Sequence, residues 1–183
     1  MSINIAVLIS GRGSNLNAII QAIADKELDA KIVSVISNDP EAAGLTIAKQ
    51  HDIETFALSH KGMKRVEHEK QILKYLEKLK VDYLVLAGYM RVLTKHFLKP
   101  FKDEDGYYRI INIHPSLLPA FPGANAYEDA FNYGVKVTGV TVHLVDEKVD
   151  HGPIIAQQPF PIFPGDTIDT VKSRGLSVEH ALY

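Results

Sequence analysis

The stretch INIAVLISGRGSNLNAIIQAIADK, residues 3–26, decides the fold. It opens with an unbroken apolar run, INIAVLI, turns through two glycines, and continues as an amphipathic helical pattern, NLNAIIQAIADK. A strand with one wet face alternates polar and apolar residues, so an unbroken run belongs to a parallel sheet covered on both faces. The same order recurs in KIVSVIS (31–37) followed by PEAAGLTIAKQHD (40–52), and the alternation continues with the helical VEHEKQILKYLEKLK (66–80) followed by the strand DYLVLAG (82–88). Strands alternating with helices predict an α/β fold, Rossmann-like and three-layered.

From Arg109 the texture changes. RIINI (109–113), VKVTGVTVHLV (135–145) and PIIAQQPFPIF (153–163) read as strands, with one short helix, NAYEDAFNYG (125–134), after the first. Only DEKVDHG (146–152) separates the last two, which predicts a hairpin and hence a mixed, mostly parallel central sheet. GDTIDTVKSRGLSVEHALY (165–183) begins a final helix. On the helix spanning 64–80, Val66, Ile72, Leu73, Leu76 and Leu79 form the expected apolar stripe, and its Lys and Glu residues the expected solvated face.

Length and composition set the limits. The 183 residues predict one domain with a full core. A net charge of −2 gives no basic field for nucleic acid, and no run approaches the roughly 18 apolar residues that span a bilayer. MSINIAVLISGRGSN lacks a basic n-region and reads as a first strand, not a signal peptide, so a soluble protein is predicted. The absence of cysteine removes disulfides, thiolate zinc sites and cysteine nucleophiles, and fits a reducing cytoplasm. The eight histidines are scattered without metal-ligand spacing, so no metal site is predicted.

Four places could carry chemistry. In SGRGSNL (10–16), glycines let the backbone approach a ligand, and the helix N-terminus that follows offers N–H groups to an anion. Ser14 and Asn15 are capping types that also donate to phosphate. The dinucleotide fingerprint fails because Leu16 stands three after Gly13, and the P-loop lysine is missing. A plain tight turn and cap would explain the glycines equally.

The second place is INIHPSLLPAFPG (111–123). Asn112 and His114 lie two apart on a strand and so point to one side, followed by three prolines that stiffen the next loop. The third is the hairpin loop carrying Asp150; on the strand before it Thr141 and His143 share a face. An amide, an imidazole and a carboxylate at strand ends suit acyl transfer without a covalent intermediate. A satisfied core amide and a structural histidine are the bland alternative. The fourth is LAGYMRVLT (86–94), which suits either packing or a slot for a flat heteroaromatic ring.

Taken in order, VLISGRGSNL, LAGYMRVL, INIHPSLLPAFPG, GVTVHLVDEKVDHGPII and EHALY resemble the glycinamide ribonucleotide formyltransferases of the folate-dependent formyltransferase superfamily. The resemblance implies the formyltransferase fold and formyl transfer from 10-formyltetrahydrofolate, as co-substrate, to the amine of glycinamide ribonucleotide. It implies Asn112, His114 and Asp150 as the catalytic trio and Gly13, Ser14 and Asn15 as the phosphate site. It also implies Arg65, Met90, Arg91, Val92, Leu93 and Asn112 as the folate site, and Glu179 near the ribonucleotide sugar. No metal, nucleic-acid or membrane partner follows, and a monomer or homodimer is expected. Members continue past EHALY with more helix and strand, so residues 1–183 are expected to form a single formyltransferase domain lacking its usual C-terminal end.

Three rivals share parts of this pattern. Formyltetrahydrofolate hydrolase has the trio but lacks SGRGSNL. Methionyl-tRNA formyltransferase adds a tRNA-binding domain. A non-catalytic folate- or nucleotide-binding module would have no need of an intact trio.

Overall fold

The computed structural model describes residues 2–183. Seven hydrogen-bonded strands among these residues give a Rossmann-like three-layer α/β fold around a mixed, mostly parallel sheet. The chain divides into two compact units, Met1–Ile111 and Asn112–Tyr183. Among the described residues no helix is long and apolar enough to cross a membrane.

The first unit holds β1 (Ile3–Ile9), α1 (Ser14–Ala24), β2 (Ala30–Ser37), α2 (Ala43–Gln50), β3 (Thr55–Ala57), α3 (Arg65–Leu76), β4 (Tyr83–Leu86) and α4 (Lys95–Leu98). Strand β1 pairs in parallel with β2 and β4, and β2 with β3. Val7, Leu8 and Ile9 are fully buried, as their unbroken run requires. Burying each such side chain is worth about 2 kcal/mol, which makes β1 the spine of this unit.

Helix α3 departs from the expected stripe. Ile72, Leu73 and Leu76 are buried as predicted, but Val66 is exposed, Leu79 only half-buried, and His68 and Glu69 lie in the core. Hydrogen bonds explain the exchange. His68 Nε2–H donates to the Leu58 carbonyl at 2.9 Å, and the Glu69 carboxylate accepts from both the backbone N–H (2.9 Å) and the hydroxyl of Thr94. A charged residue with its acceptor capacity met can be buried, which an apolar stripe cannot reveal.

Burial pushes the His68 imidazole below its ordinary value of 6.5, with the Leu58 carbonyl working against that and the Arg91 charge reinforcing it. Its Nδ1 has no hydrogen-bond partner among the described residues. Between the lowered folded value and 6.5 the unfolded chain binds the extra proton and the folded one does not. Stability is therefore fully present above about 6.5 and is lost as pH falls below it. Thermal melts should show Tm falling between about pH 7 and pH 5, less steeply in His68→Phe. Equal slopes in both proteins would refute the assignment.

The second unit holds β5 (Ile110–His114, which begins at the end of the first), α5 (Ala126–Tyr133), β6 (Val137–Leu144), β7 (Ile154–Pro161) and α6 (Ile168–Leu182). Strands β6 and β7 form the antiparallel hairpin, with a register shift between Val142 and His143. Strand β7 ends the sheet, and Pro159 and Pro161 blunt that edge by removing two donors. Helix α6 starts with a capping box in which Thr167 and Thr170 satisfy each other's backbone N–H groups.

Candidate active site

The Asp150 carboxylate is the centre of the polar cluster in the second unit. Its Oδ2 accepts the Gly123 N–H at 2.7 Å and lies 3.4 Å from His114 Nδ1, while Oδ1 lies 3.9 Å from His143 Nε2. Asn112 Nδ2 meets the same His143 Nε2 at 3.2 Å. Asn112, His114 and Asp150, predicted from sequence, therefore come together, and a fourth residue joins them.

That fourth residue, His143, sets the orientation of Asn112. Its Nδ1 lies 2.9 Å from the Leu144 carbonyl, which can only accept, so Nδ1 carries the proton. Burial holds the His143 imidazole below its ordinary range, and the Leu144 carbonyl opposes that less strongly. The ring is neutral, Nε2 is bare, and it can only accept. Asn112 must turn its NH2 toward His143, which leaves the second N–H of that nitrogen for a ligand oxygen.

His114 is fixed from the other side. Its Nε2–H donates to the Phe121 carbonyl at 2.8 Å, and Nδ1 faces Asp150. Both ring nitrogens face oxygens. Nε2 is spent on the backbone, so Nδ1 is the nitrogen that can meet a substrate.

The prolines after His114 now have a purpose. The loop 115–123 supplies the Phe121 carbonyl to His114 and the Gly123 N–H to Asp150, so one loop holds two members of the trio. The loop is itself stitched to the hairpin. Thr141 Oγ1 donates to the Ser116 carbonyl at 2.7 Å and accepts the Leu118 N–H at 3.0 Å, and Gln157 Nε2 donates to the Leu118 carbonyl at 2.9 Å. Phe121 and Asp150 have φ of 51° and 52°, a left-handed backbone that costs such residues about 1–3 kcal/mol each and persists only where surroundings impose it. Gly152 closes the hairpin so tightly that an added Cβ would sit 1.9 Å from the Leu144 carbonyl oxygen.

Glu179, on α6, accepts a 2.7 Å hydrogen bond from the Tyr127 hydroxyl. Burial and the Glu179 charge hold that phenol far above its ordinary range, so it stays a donor. Gly175 makes room for the same ring, since a Cβ there would lie 2.2 Å from the Tyr127 oxygen.

In the first unit the glycine turn differs from its sequence reading in one respect. Ser14 and Asn15 are the first helical residues of α1, not its cap. The cap is Gly13, at φ 79°, with no capping side chain. The reason is packing: a Cβ on Gly13 would lie 2.6 Å from Gly44 Cα, so the turn presses against α2 as only glycine can. Gly13, having no side chain, leaves the cap position of α1 without a side-chain hydrogen bond.

Met90 and Val92 are exposed at 73% and 50%, too apolar to be left so without a reason. Arg91 and Leu93 are half-buried between them, and Arg65 stands exposed at the start of α3. Beside them the half-buried Tyr89 phenol is pushed up to about 12 by desolvation. An exposed apolar segment of this kind fits a flat ring better than it fits water.

Sequence reasoning set Thr141 and His143 on one face without giving either a role, and it missed Gln157, Phe121 and Gly123. The alternation that puts Thr141 and His143 on one face of β6 was the available signal, but it names no partner for either.

The sequence and the fold are both shared with known proteins. The model of the formyl transferase family matches residues 3–183. Phosphoribosylglycinamide formyltransferase of Haemophilus influenzae is 44% identical over 180 residues, which is 98% of this chain and 82% of that protein. The human trifunctional purine biosynthetic protein adenosine-3 is also 44% identical over 180 residues, where the chain spans 17% of the longer protein. The crystal structure of phosphoribosylglycinamide formyltransferase from Bacillus halodurans superposes with a TM-score of 0.92 at 41% identity, covering 98% of this chain and 91% of that one. This chain belongs to the formyl transferase family, among its phosphoribosylglycinamide formyltransferases.

Proposed function

We propose that the protein transfers a formyl group from 10-formyltetrahydrofolate to the amine of glycinamide ribonucleotide, a step of de novo purine synthesis in the cytoplasm. The observation that carries the reading is the Asp150 carboxylate set between His114 and His143, with Asn112 turned by His143 to present an N–H. Gly13, Ser14 and Asn15 hold the ribonucleotide phosphate, Glu179 its sugar, and Arg65 with Met90–Leu93 and Asn112 the folate.

The folate supplies the formyl group and leaves as its amine, taking up one proton in exchange for the one the ribonucleotide amine gives up. Asn112 donates its second N–H to the oxygen that gains charge as the amine adds to the formyl carbon. His114 donates from Nδ1 to the same oxygen. Asp150, which faces His114 Nδ1 at 3.4 Å, takes the amine proton through water. Preorganised donors of this kind are each worth about 3 kcal/mol to the transition state, provided they do not have to reorganise. The proline loop and His143 supply that rigidity.

Absorbance should report loss of the formyl donor only when glycinamide ribonucleotide is present. Donor loss to water without it would replace this reading with the hydrolase, and no loss in either case with a binding module.

A further inference from the structure

A chain of hydrogen bonds in the first unit runs across the carboxyl ends of four parallel strands. Met90 N–H, beyond β4, donates to Ser10 Oγ at 2.8 Å. Ser10, beyond β1, donates from that hydroxyl to Asn38 Oδ1 at 2.5 Å. Asn38, beyond β2, meets His60 Nδ1, beyond β3, twice: its Nδ2 lies 3.0 Å away and its backbone carbonyl 2.9 Å, two contacts that one ring nitrogen satisfies alternately. The order His60, Asn38, Ser10, Met90 is the order of the strands themselves, β3-β2-β1-β4. Ser10 N–H also donates to the Gly88 carbonyl at 3.1 Å, so this residue holds the segment after β4 by both backbone and side chain.

Gly88 turns the held segment with φ 76°, and Met90 and Val92 are exposed. At its far end the Glu69 carboxylate takes the Thr94 N–H and hydroxyl. The segment 90–93 is thus pinned at one end by Ser10 and at the other by Glu69, with its middle presented outward. Asn38 is buried at 4% exposure and fixes the direction of the Ser10 hydroxyl, because an amide oxygen can only accept.

We propose that Ser10, oriented by Asn38, is a positioning residue that sets the backbone of Met90–Leu93 for the formyl donor. This inference rests on the assignment of that segment to the folate. Ser10 also precedes the turn that carries Gly13–Asn15, but that turn is set by the packing of Gly13 on Gly44, while the Ser10 hydroxyl bonds to Asn38 and Met90. A hydroxyl that merely stabilised the fold would affect both substrates and turnover alike. A positioning hydroxyl affects the donor alone.

Steady-state kinetics of Ser10→Ala decides between these. The KM for 10-formyltetrahydrofolate should rise about tenfold, the change expected when one bond to Met90 is lost and Asn38 Oδ1 is left without its donor. Both kcat and the KM for glycinamide ribonucleotide should stay within about twofold. An unchanged donor KM, or equal changes for both substrates, overturns the proposal. Hydrogen exchange of the Met90 amide supplies a readout independent of activity, with about tenfold less protection expected in Ser10→Ala. Unchanged protection overturns the proposal even if the wild-type protein transfers formyl groups as assigned. Absence of transfer by the wild type would instead refute the functional reading, while the exchange result would still decide whether Ser10 holds Met90.

Discussion

Asp150→Asn is expected to lower kcat by about 100-fold or more at saturating substrates while Tm stays within about 3 °C of the wild type. The substitution separates the three things this carboxylate does. An amide oxygen can still accept the Gly123 N–H, so the 2.7 Å tie that closes the proline loop survives. The negative charge facing His114 Nδ1 at 3.4 Å is lost, and so is the base that takes the amine proton. A hundredfold is about 2.7 kcal/mol of barrier. One structural hydrogen bond accounts for only about 1 kcal/mol, or a factor of about five. A fall of less than fivefold would therefore mean that Asp150 serves the loop and not the reaction. Asp150→Ala, which also releases Gly123, should be as slow and in addition melt earlier. The pair of variants separates chemistry from scaffolding.

Part of this was legible in the sequence, and the boundary has a physical basis. Unbroken apolar runs report burial on both faces, which is why β1, β2 and β4 and the α/β class could be read directly. The i, i+2 spacing of Asn112 and His114 announces a shared face for the same reason. Where the sequence misled, a hydrogen bond had overridden polarity. Glu69 is buried because Thr94 supplies donors, and Val66 is exposed because α3 turns His68 and Glu69 inward instead. Gly13 replaced Ser14 as the cap because the turn packs against Gly44, a neighbour 31 positions along the chain. Backbone carbonyls and amides such as Phe121 C=O and Gly123 N–H carry no signature in the sequence at all, since every residue has them. The prolines showed that something is held in that loop, but not which atoms hold it.

His143→Leu is expected to cost about tenfold to 100-fold in kcat, with both KM values within about twofold. The imidazole touches no reacting atom in this scheme and acts through Asn112. Leucine fills similar space but offers Nδ2 no acceptor, so the amide is free to turn either its oxygen or its NH2 toward the substrate. An oxyanion meeting the amide oxygen would be repelled where it should be held. The loss cannot exceed that of deleting the amide, worth about 100-fold to 1,000-fold, since Asn112 still presents N–H part of the time. His143→Gln should recover most of the activity, because its side-chain oxygen can accept from Asn112 in place of the imidazole. The pH profile supplies the second test. Protonation of His143 would put a hydrogen on Nε2 and force Asn112 to turn its oxygen inward, which also slows the reaction. Burial lowers the His143 value below 6.5, against the Leu144 carbonyl and the Asp150 and Asp146 charges that raise it and with His114 that lowers it further. The neutral, active form therefore persists above that lowered value, and kcat falls only as pH drops through it. The part of the acid limb that His143 contributes should be present in the wild type and missing from His143→Gln, where position 143 no longer titrates. A leucine variant with kcat within about threefold of the wild type, or a glutamine variant no better than leucine, would leave Asn112 to be oriented by something other than His143.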